Sequence, residues 1–378
     1  MAKTKSSPIS AMSAGARLRE IDALFADGGL THSPHRNPAS ASRIGTSGKK
    51  RTANPAKKPS NTAVGGKTPG LEILRVPEWE QYGWLVHGFS TRSGGVSTVY
   101  RPGERCGELN LGFTATDSRE HVARNRELFV QALLDGPGHA MGGEGRKKAA
   151  ETTLLLVRQI HSGLVHRSEA MVDASVMRAE DRDKLRGDGM IATEPGALLA
   201  IQTADCIPVL IVDMRQRVVA AFHAGWRGTL ARIVERGVGR MRAELGSQPG
   251  DMTAAIGPGI GPCCYSVGEE VRMEFDSQFC YADDLFQELF DLDPIKEKYP
   301  MLFLTARAPG HSNLGPSLHL DLPEANRRQL LDAGLAPEKI HSLNVCTACD
   351  TKRFFSHRAE RGFTGRMLSA IGIRPTSA

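Results

Sequence analysis

The chain has 378 residues, 40% hydrophobic and 24% charged, which suffices for a sizeable core and places it in the soluble globular class. Its apolar runs, such as Ala197–Ile201 and Ile207–Val212, fall far short of the roughly 20 residues that a membrane-spanning helix needs. Lys3 and Lys5 are followed by no apolar stretch, so a secretory signal is not expected and the cytoplasm is the expected compartment. Seven cysteines are too few for a disulfide scaffold, and their odd number leaves a free thiol for metal or nucleophilic chemistry.

The net charge of +6 invites a nucleic-acid reading until it is located. Residues 1–70 hold 12 Lys and Arg against 3 Asp and Glu, and the remainder holds 36 against 39. The basic excess therefore belongs to a Ser-, Pro-, Gly- and Lys-rich extension that cannot bury enough surface to fold alone. Residues 1–70 are expected to be disordered, with at most a weak anionic contact; nucleic acid is otherwise not an expected partner.

From residue 71 a single α/β domain is expected to run to residue 373, with surface insertions near 135–150 and 280–316. LEILRV and WLVHGFSTRSGGVS read as β-structure, and Asp117–Leu134 as a helix capped by Asp117 or Ser118, with Val122, Leu128, Phe129 and Leu133 on one face. LLLVRQIHS, GMIAT, LLAIQ, IPVLIVD and RVVAAFHAG follow as strands, several apolar on both faces and so covered on both sides. TLARIVERGVGRMRAEL predicts one helix capped by Thr229. After strand MTAAIG and loop GPGIGPCCYSVG come helix EEVRMEFDSQF and helix LDLPEANRRQLLDAGL, in which Asp321 and Glu324 have capping-box spacing. Strand HSLNVCT, segment RFFSHR and a short helix over Thr364–Ile371 end the pattern.

His161, Cys206 and His223 stand at strand ends. Two imidazoles and a thiolate suit zinc, and three ligands leave one coordination position open, the catalytic pattern. Separations of 45 and 17 residues are unlike a zinc finger, so spacing alone leaves the bland alternative of three hydrogen-bonded core residues open. GPGIGP lacks the order of a dinucleotide-binding loop and reads as a tight turn. Cys346-Thr-Ala-Cys349 has the spacing of half a zinc knuckle or a redox pair, but the other close pair, Cys263-Cys264, has the wrong spacing, so structural thiols are expected there.

In this order, QIHSGLVH, GDGMI, TADCIPVL, FHAGWRG, IGPGIGPCCYSVGEEV, LDLPEANR and CTACDTKRFFSHR resemble the YfiH or laccase-domain family, described as zinc-dependent purine nucleoside phosphorylases. HGFSTRSGGVS and LNLG extend the likeness toward the N-terminus, so that it covers residues 71–373. The resemblance implies a layered α/β/α/β sandwich like the catalytic domain of cytotoxic necrotising factor, and a metal held by His161, Cys206 and His223. It further implies purine nucleosides and phosphate as substrates, with adenosine deaminase and methylthioadenosine phosphorylase activities. The sequence departs from the family where GDGMI replaces a DALVT-like segment, in the two insertions and in residues 1–70; no proposed ligand is lost.

Physical roles can be set beside that likeness. Water acidified by zinc and attacking purine C6 gives deamination; phosphate attacking ribose C1′ gives phosphorolysis. Arg92 and Arg227, in Gly-rich loops, are candidates to hold the phosphate or to brace those loops. Asp205 either orients a ligand imidazole or caps a turn, the structural role being favoured; Asp188 and His166 are further pocket candidates. His357 reads as a supporting residue rather than a ligand. A rival reading makes Cys206 a nucleophile with His223 as base, as in the peptidoglycan-precursor amidases also described in the family. Copper polyphenol oxidation, the family's older description, finds no His-x-His pair among the 12 histidines, although adventitious copper at the zinc site agrees with the affinity order.

Overall fold

The computed structural model describes residues 70–101, 107–135, 152–169, 185–289 and 317–375. The basic extension and most of both expected insertions lie outside the described residues.

Strands β1 (Ile73–Leu74), β2 (Leu85–Ser90) and β3 (Ser93–Ser97) open the fold, followed by helix α1 (Arg119–Asp135). Next come β4 (Thr153–Leu155), β5 (Val165–Arg167), β6 (Gly189–Ala192), β7 (Ala197–Thr203), β8 (Ile207–Asp213) and β9 (Val218–Ala224). Helices α2 (Trp226–Leu230) and α3 (Ile233–Leu245), β10 (Met252–Ile256), helix α4 (Glu269–Asp276), β11 (Phe286–Leu289) and β12 (Ser317–Leu320) continue the chain. Helix α5 (Leu322–Asp332), β13 (Ile340–Ser342) and β14 (Met367–Ile373) complete it.

Apart from β3, which makes isolated bridges to Glu108, the strands form one sheet in the order β1-β2-β14-β7-β4, a second in the order β13-β10-β8-β9-β6-β5, and the pair β11-β12. Strand alternation decides what each face covers. Leu85 and Phe89 of β2, Leu199 and Ile201 of β7 and Ile371 of β14 meet Leu210, Val212, Val219 and Ala221 of the second sheet in a layer between the two. The opposite residues of the first sheet, Val86, Leu198, Ala200 and Leu368, pack on Phe129 and Leu133 of α1. Those of the second, including Val209, Ile211, Ala220 and Phe222, pack on Val234, Val238 and Met241 of α3 and Leu330 of α5. Strands buried on both faces thus read as continuous apolar runs. The mixed α/β class agrees with the expectation, while the layers run helix, sheet, sheet, helix where the family resemblance implies α/β/α/β.

Three local expectations are corrected. Residues 367–373 form the strand β14, not part of a helix, because they pair with both β2 and β7. The segment from Thr229 is not one helix: Arg232 takes a left-handed φ of 56° between α2 and α3, and Gly225 rather than Thr229 is the cap residue of α2. Of LLLVRQIHS only Leu154 and Leu155 are strand, as the end of β4. The α5 capping box is present, the Asp321 side chain accepting from the Glu324 N–H at 3.0 Å.

Candidate metal centre and its cavity

Pairing of β8 with β9 explains why a 17-residue spacing brings two candidate ligands together. Ile207 lies opposite Ala224 and Pro208 opposite His223, so Cys206, one residue before β8, falls beside the end of β9. His161 arrives by a different device. The Gln159 side chain donates to the Gln202 carbonyl and accepts from the Gln202 N–H, both at 2.8 Å, docking the segment on the end of β7.

The donor atoms of His161, Cys206 and His223 lie within 4.8 Å of one another. Cys206 Sγ is 3.8 Å from His161 Nε2, and the imidazoles meet edge to face with centroids 4.8 Å apart. Tetrahedral bonds of about 2.3 Å to sulfur and 2.0–2.1 Å to nitrogen put such donors about 3.6 Å apart, so the set suits a single metal with mixed N and S ligands. Gly225 keeps the space clear, since a Cβ there would stand 2.9 Å from His161 Cδ2 and 3.1 Å from Cys206 Sγ.

Asp188 organises two ligands at once. Its fully buried carboxylate accepts from His223 Nδ1 at 2.8 Å, which leaves Nε2 of that ring available to a metal. It also accepts the successive N–H groups of Ile160, His161 and Ser162, and the Ser162 hydroxyl. These bonds hold His161 at a φ of 58°, a left-handed conformation costing an ordinary residue on the order of 1 kcal/mol or more. Burial disfavours the Asp188 carboxylate, but His223 and the Ser162 donors hold its pKa below the usual range. Burial likewise pushes the Cys206 thiol up, yet His223 and His161 bring it down to about 6. For His223 burial pulls downward, while Cys206 and Asp188 raise it to about 9.

The three donors open on a cavity of about 680 Å³ whose lining includes Trp226, Arg227, Ile260, Tyr265, Arg358 and Arg366. Arg227 is exposed, stacks on Trp226 with its guanidinium carbon 4.3 Å from the ring centroid, and pairs with no carboxylate among the described residues. His357 lines the same cavity and Arg158 joins the wall. Asp205 also borders it, but its carboxylate accepts from the Thr347 hydroxyl at 2.7 Å and the Arg358 N–H at 2.6 Å. Those bonds make it a brace, and Asp188 is the residue that orients an imidazole.

Two candidates stand elsewhere. Of its two sequence alternatives, phosphate holder or loop brace, Arg92 has the geometry of a brace: it is 1% exposed, with ion pairs to Glu108 at 2.6 Å and Glu360 at 2.9 Å. A charge so paired and desolvated has little to offer an entering anion. His166 is turned to the Arg186 carbonyl, 2.9 Å from Nε2, and is not part of the cavity lining. Sequence reasoning missed Arg358, Arg366 and Tyr265, although Arg358 and Tyr265 lie in the motifs RFFSHR and CCYSVG.

A mixed α/β fold thus gathers two imidazoles and a thiol, a candidate three-ligand metal centre, at the mouth of an arginine-lined cavity. The chain belongs to the YfiH, or laccase-domain, family: residues 86–374 match the family described as multi-copper polyphenol oxidoreductase laccase. It is 34% identical to a purine nucleoside phosphorylase of Deinococcus radiodurans over 81% of this chain and 94% of that one. It is 32% identical to purine nucleoside phosphorylase YlmD of Geobacillus stearothermophilus over 78% of this chain and 96% of that one. Among solved structures, hypothetical protein YfiH of Bacillus licheniformis superposes with a TM-score of 0.60 at 30% identity, covering 79% of this chain and 96% of that one.

Proposed function

We propose that the chain is a zinc-dependent purine nucleoside phosphorylase. One observation carries the reading: a single cavity holds the His161, Cys206 and His223 donors together with Arg227, Arg358 and Arg366. The names of the relatives support the substrate class, purine nucleoside and phosphate. His161, Cys206 and His223 would hold the zinc, which would supply Lewis acidity to a bound substrate. Trp226, Ile260 and Tyr265 offer aromatic and apolar walls for a purine, and the guanidinium groups offer forked donors to phosphate. In the reaction the bond from ribose C1′ to the purine nitrogen breaks, its electron pair leaving with the base, and a phosphate oxygen bonds to C1′. Methylthioadenosine fits the same scheme, and attack of water at C6, with the C6–N bond breaking and ammonia leaving, would account for adenosine deamination. Copper oxidation is not proposed, because the described residues include no histidine-rich multinuclear donor set.

The test is product analysis with adenosine, with and without phosphate. Adenine and ribose 1-phosphate that appear only with phosphate are the expected result, while inosine in either case reports deamination. Neither product from zinc-loaded protein overturns the proposal. Arg227→Ala is expected to raise KM for phosphate about tenfold or more, the worth of one charge-assisted hydrogen bond.

A second reading rests on Cys206, His223 and Asp188, which stand in the order nucleophile, base and orienting carboxylate. That order serves a cytoplasmic amidase acting on peptidoglycan precursors. His161 has no part in it, so metal-free His161→Ala protein that still hydrolyses an amide would select this reading. No helix among the described residues is long and apolar enough to cross a membrane.

A further inference from the structure

We propose that Cys263, Cys264, Cys346 and Cys349 bind a second zinc ion in a closed tetrathiolate centre, separate from the three-ligand site. Sequence spacing sets the two cysteine pairs apart, but the fold brings all four sulfurs within 4.8 Å of one another. Cys349 Sγ lies 3.4 Å from both Cys263 Sγ and Cys264 Sγ. In a tetrahedral site with bonds of about 2.3 Å, sulfurs stand about 3.8 Å apart, so four donors at these separations match one ion. An iron–sulfur cluster distributes its thiolates over several irons and holds them farther apart. All four cysteines are free thiols, so the donors are available without prior reduction.

The backbone around the sulfurs is built for close approach. Gly261 N–H donates to Cys346 Sγ at 3.3 Å, the kind of donor that supports a metal-bound thiolate. Gly261 lacks a Cβ where one would meet Cys346 Cβ at 3.3 Å and Cys263 Sγ at 3.4 Å. The Cys264 N–H donates to the Gly261 carbonyl at 3.0 Å, which turns the vicinal pair back on its own loop. The two stretches also bridge at Gly259 and Cys346, and the Thr347 N–H donates to the Gly259 carbonyl at 2.9 Å. Binding forms four Zn–S bonds, releases to solvent the protons the thiols still carry, and changes no oxidation state.

Such a centre rivets the two segments that grip Asp205. The Ile260 N–H donates to the Asp205 carbonyl and the Thr347 hydroxyl to its carboxylate, each at 2.7 Å, and Asp205 precedes the ligand Cys206. Four protein ligands close the coordination sphere, so this ion would be structural, whereas the three-ligand site keeps a position for substrate.

Metal analysis of full-length protein purified under reducing conditions tests the proposal. About two zinc ions per chain are expected in the wild type, and about one in either His161→Ala/His223→Ala or Cys346→Ser/Cys349→Ser. One zinc in the wild type that disappears with the histidines overturns the tetrathiolate. One that survives their loss supports it and instead removes the metal from the proposed phosphorylase site. Should the cysteine variant fail to fold, cobalt(II) loaded into the histidine variant decides. Strong sulfur-to-cobalt charge-transfer bands with tetrahedral ligand-field bands are expected; their absence, iron in place of zinc, or disulfides among these cysteines in the native protein overturn it.

Discussion

Two histidines sit in comparable burial on opposite walls of the layer between the sheets and behave in opposite ways. His87, 4% exposed, shares a face with Leu85 and Phe89 on β2; His223, 3% exposed, shares one with Val219 and Ala221 on β9. Burial lowers the pKa of both, as desolvation of a cation must. At His87 Arg75 adds repulsion, the Val76 backbone contact offsets little of it, and the ring falls to about 4. Its Nε2 accepts the Val76 N–H at 3.0 Å, a bond that requires an unprotonated nitrogen, and Trp79 packs on the ring edge to face. At His223 the Asp188 carboxylate and the Cys206 sulfur reverse the outcome. The partner, not the depth, decides whether a buried imidazole is packing or chemistry.

Removing the ligands tests that contrast most severely. His223→Ala or His161→Ala is expected to lose the cavity metal and to cost more activity than the roughly 10- to 100-fold typical of removing an orienting partner. Metal analysis beside phosphorolysis rates checks this, and full activity in either variant would break the comparison. Asp188→Asn should fall within that 10- to 100-fold range, because the amide keeps the size while losing the charge that fixes the His223 tautomer. Activity normalised to bound zinc distinguishes poor orientation from lost metal.

The smallest effect concerns His87. Its folded pKa lies below the unfolded value, so the unfolded chain takes up a proton that the native chain refuses. Stability from this group is intact above about pH 6.5 and declines as pH falls toward about 4, by at most about 1.4 kcal/mol per pH unit. Urea midpoints across that window should show the slope, and His87→Gln, whose amide oxygen can still accept the Val76 N–H, should flatten it. An unchanged slope in that variant would assign the dependence to other groups.

How far the sequence discloses these features depends on the range of the interaction. Cys206 and His223 are visible because polar residues interrupt apolar runs at strand ends, and a hairpin joins them. Asp188 reads in the sequence only as a pocket candidate, since only the fold brings it up to residues 160–162 and His223. The pairing of Arg92 is not legible because Glu360 is 268 residues away, nor is the gathering of the cysteines, whose contacts span 86 and 85 residues. MLSAIGI hides its strand for another reason: Ser369, Ala370 and Gly372 are small and both faces are buried, so no period of two remains to be read. The break at Arg232 carries no glycine or proline to announce it.

That last strand also sets a timetable for synthesis. β14 is the middle plank of its sheet, paired on one side with β2 and on the other with β7. A ribosome that has not yet released residues 367–373 has already delivered both neighbours, each with a bare edge where the plank belongs. The sheet therefore cannot close before residues 367–373 are made, and their loss would remove the centre of a wall, not its fringe.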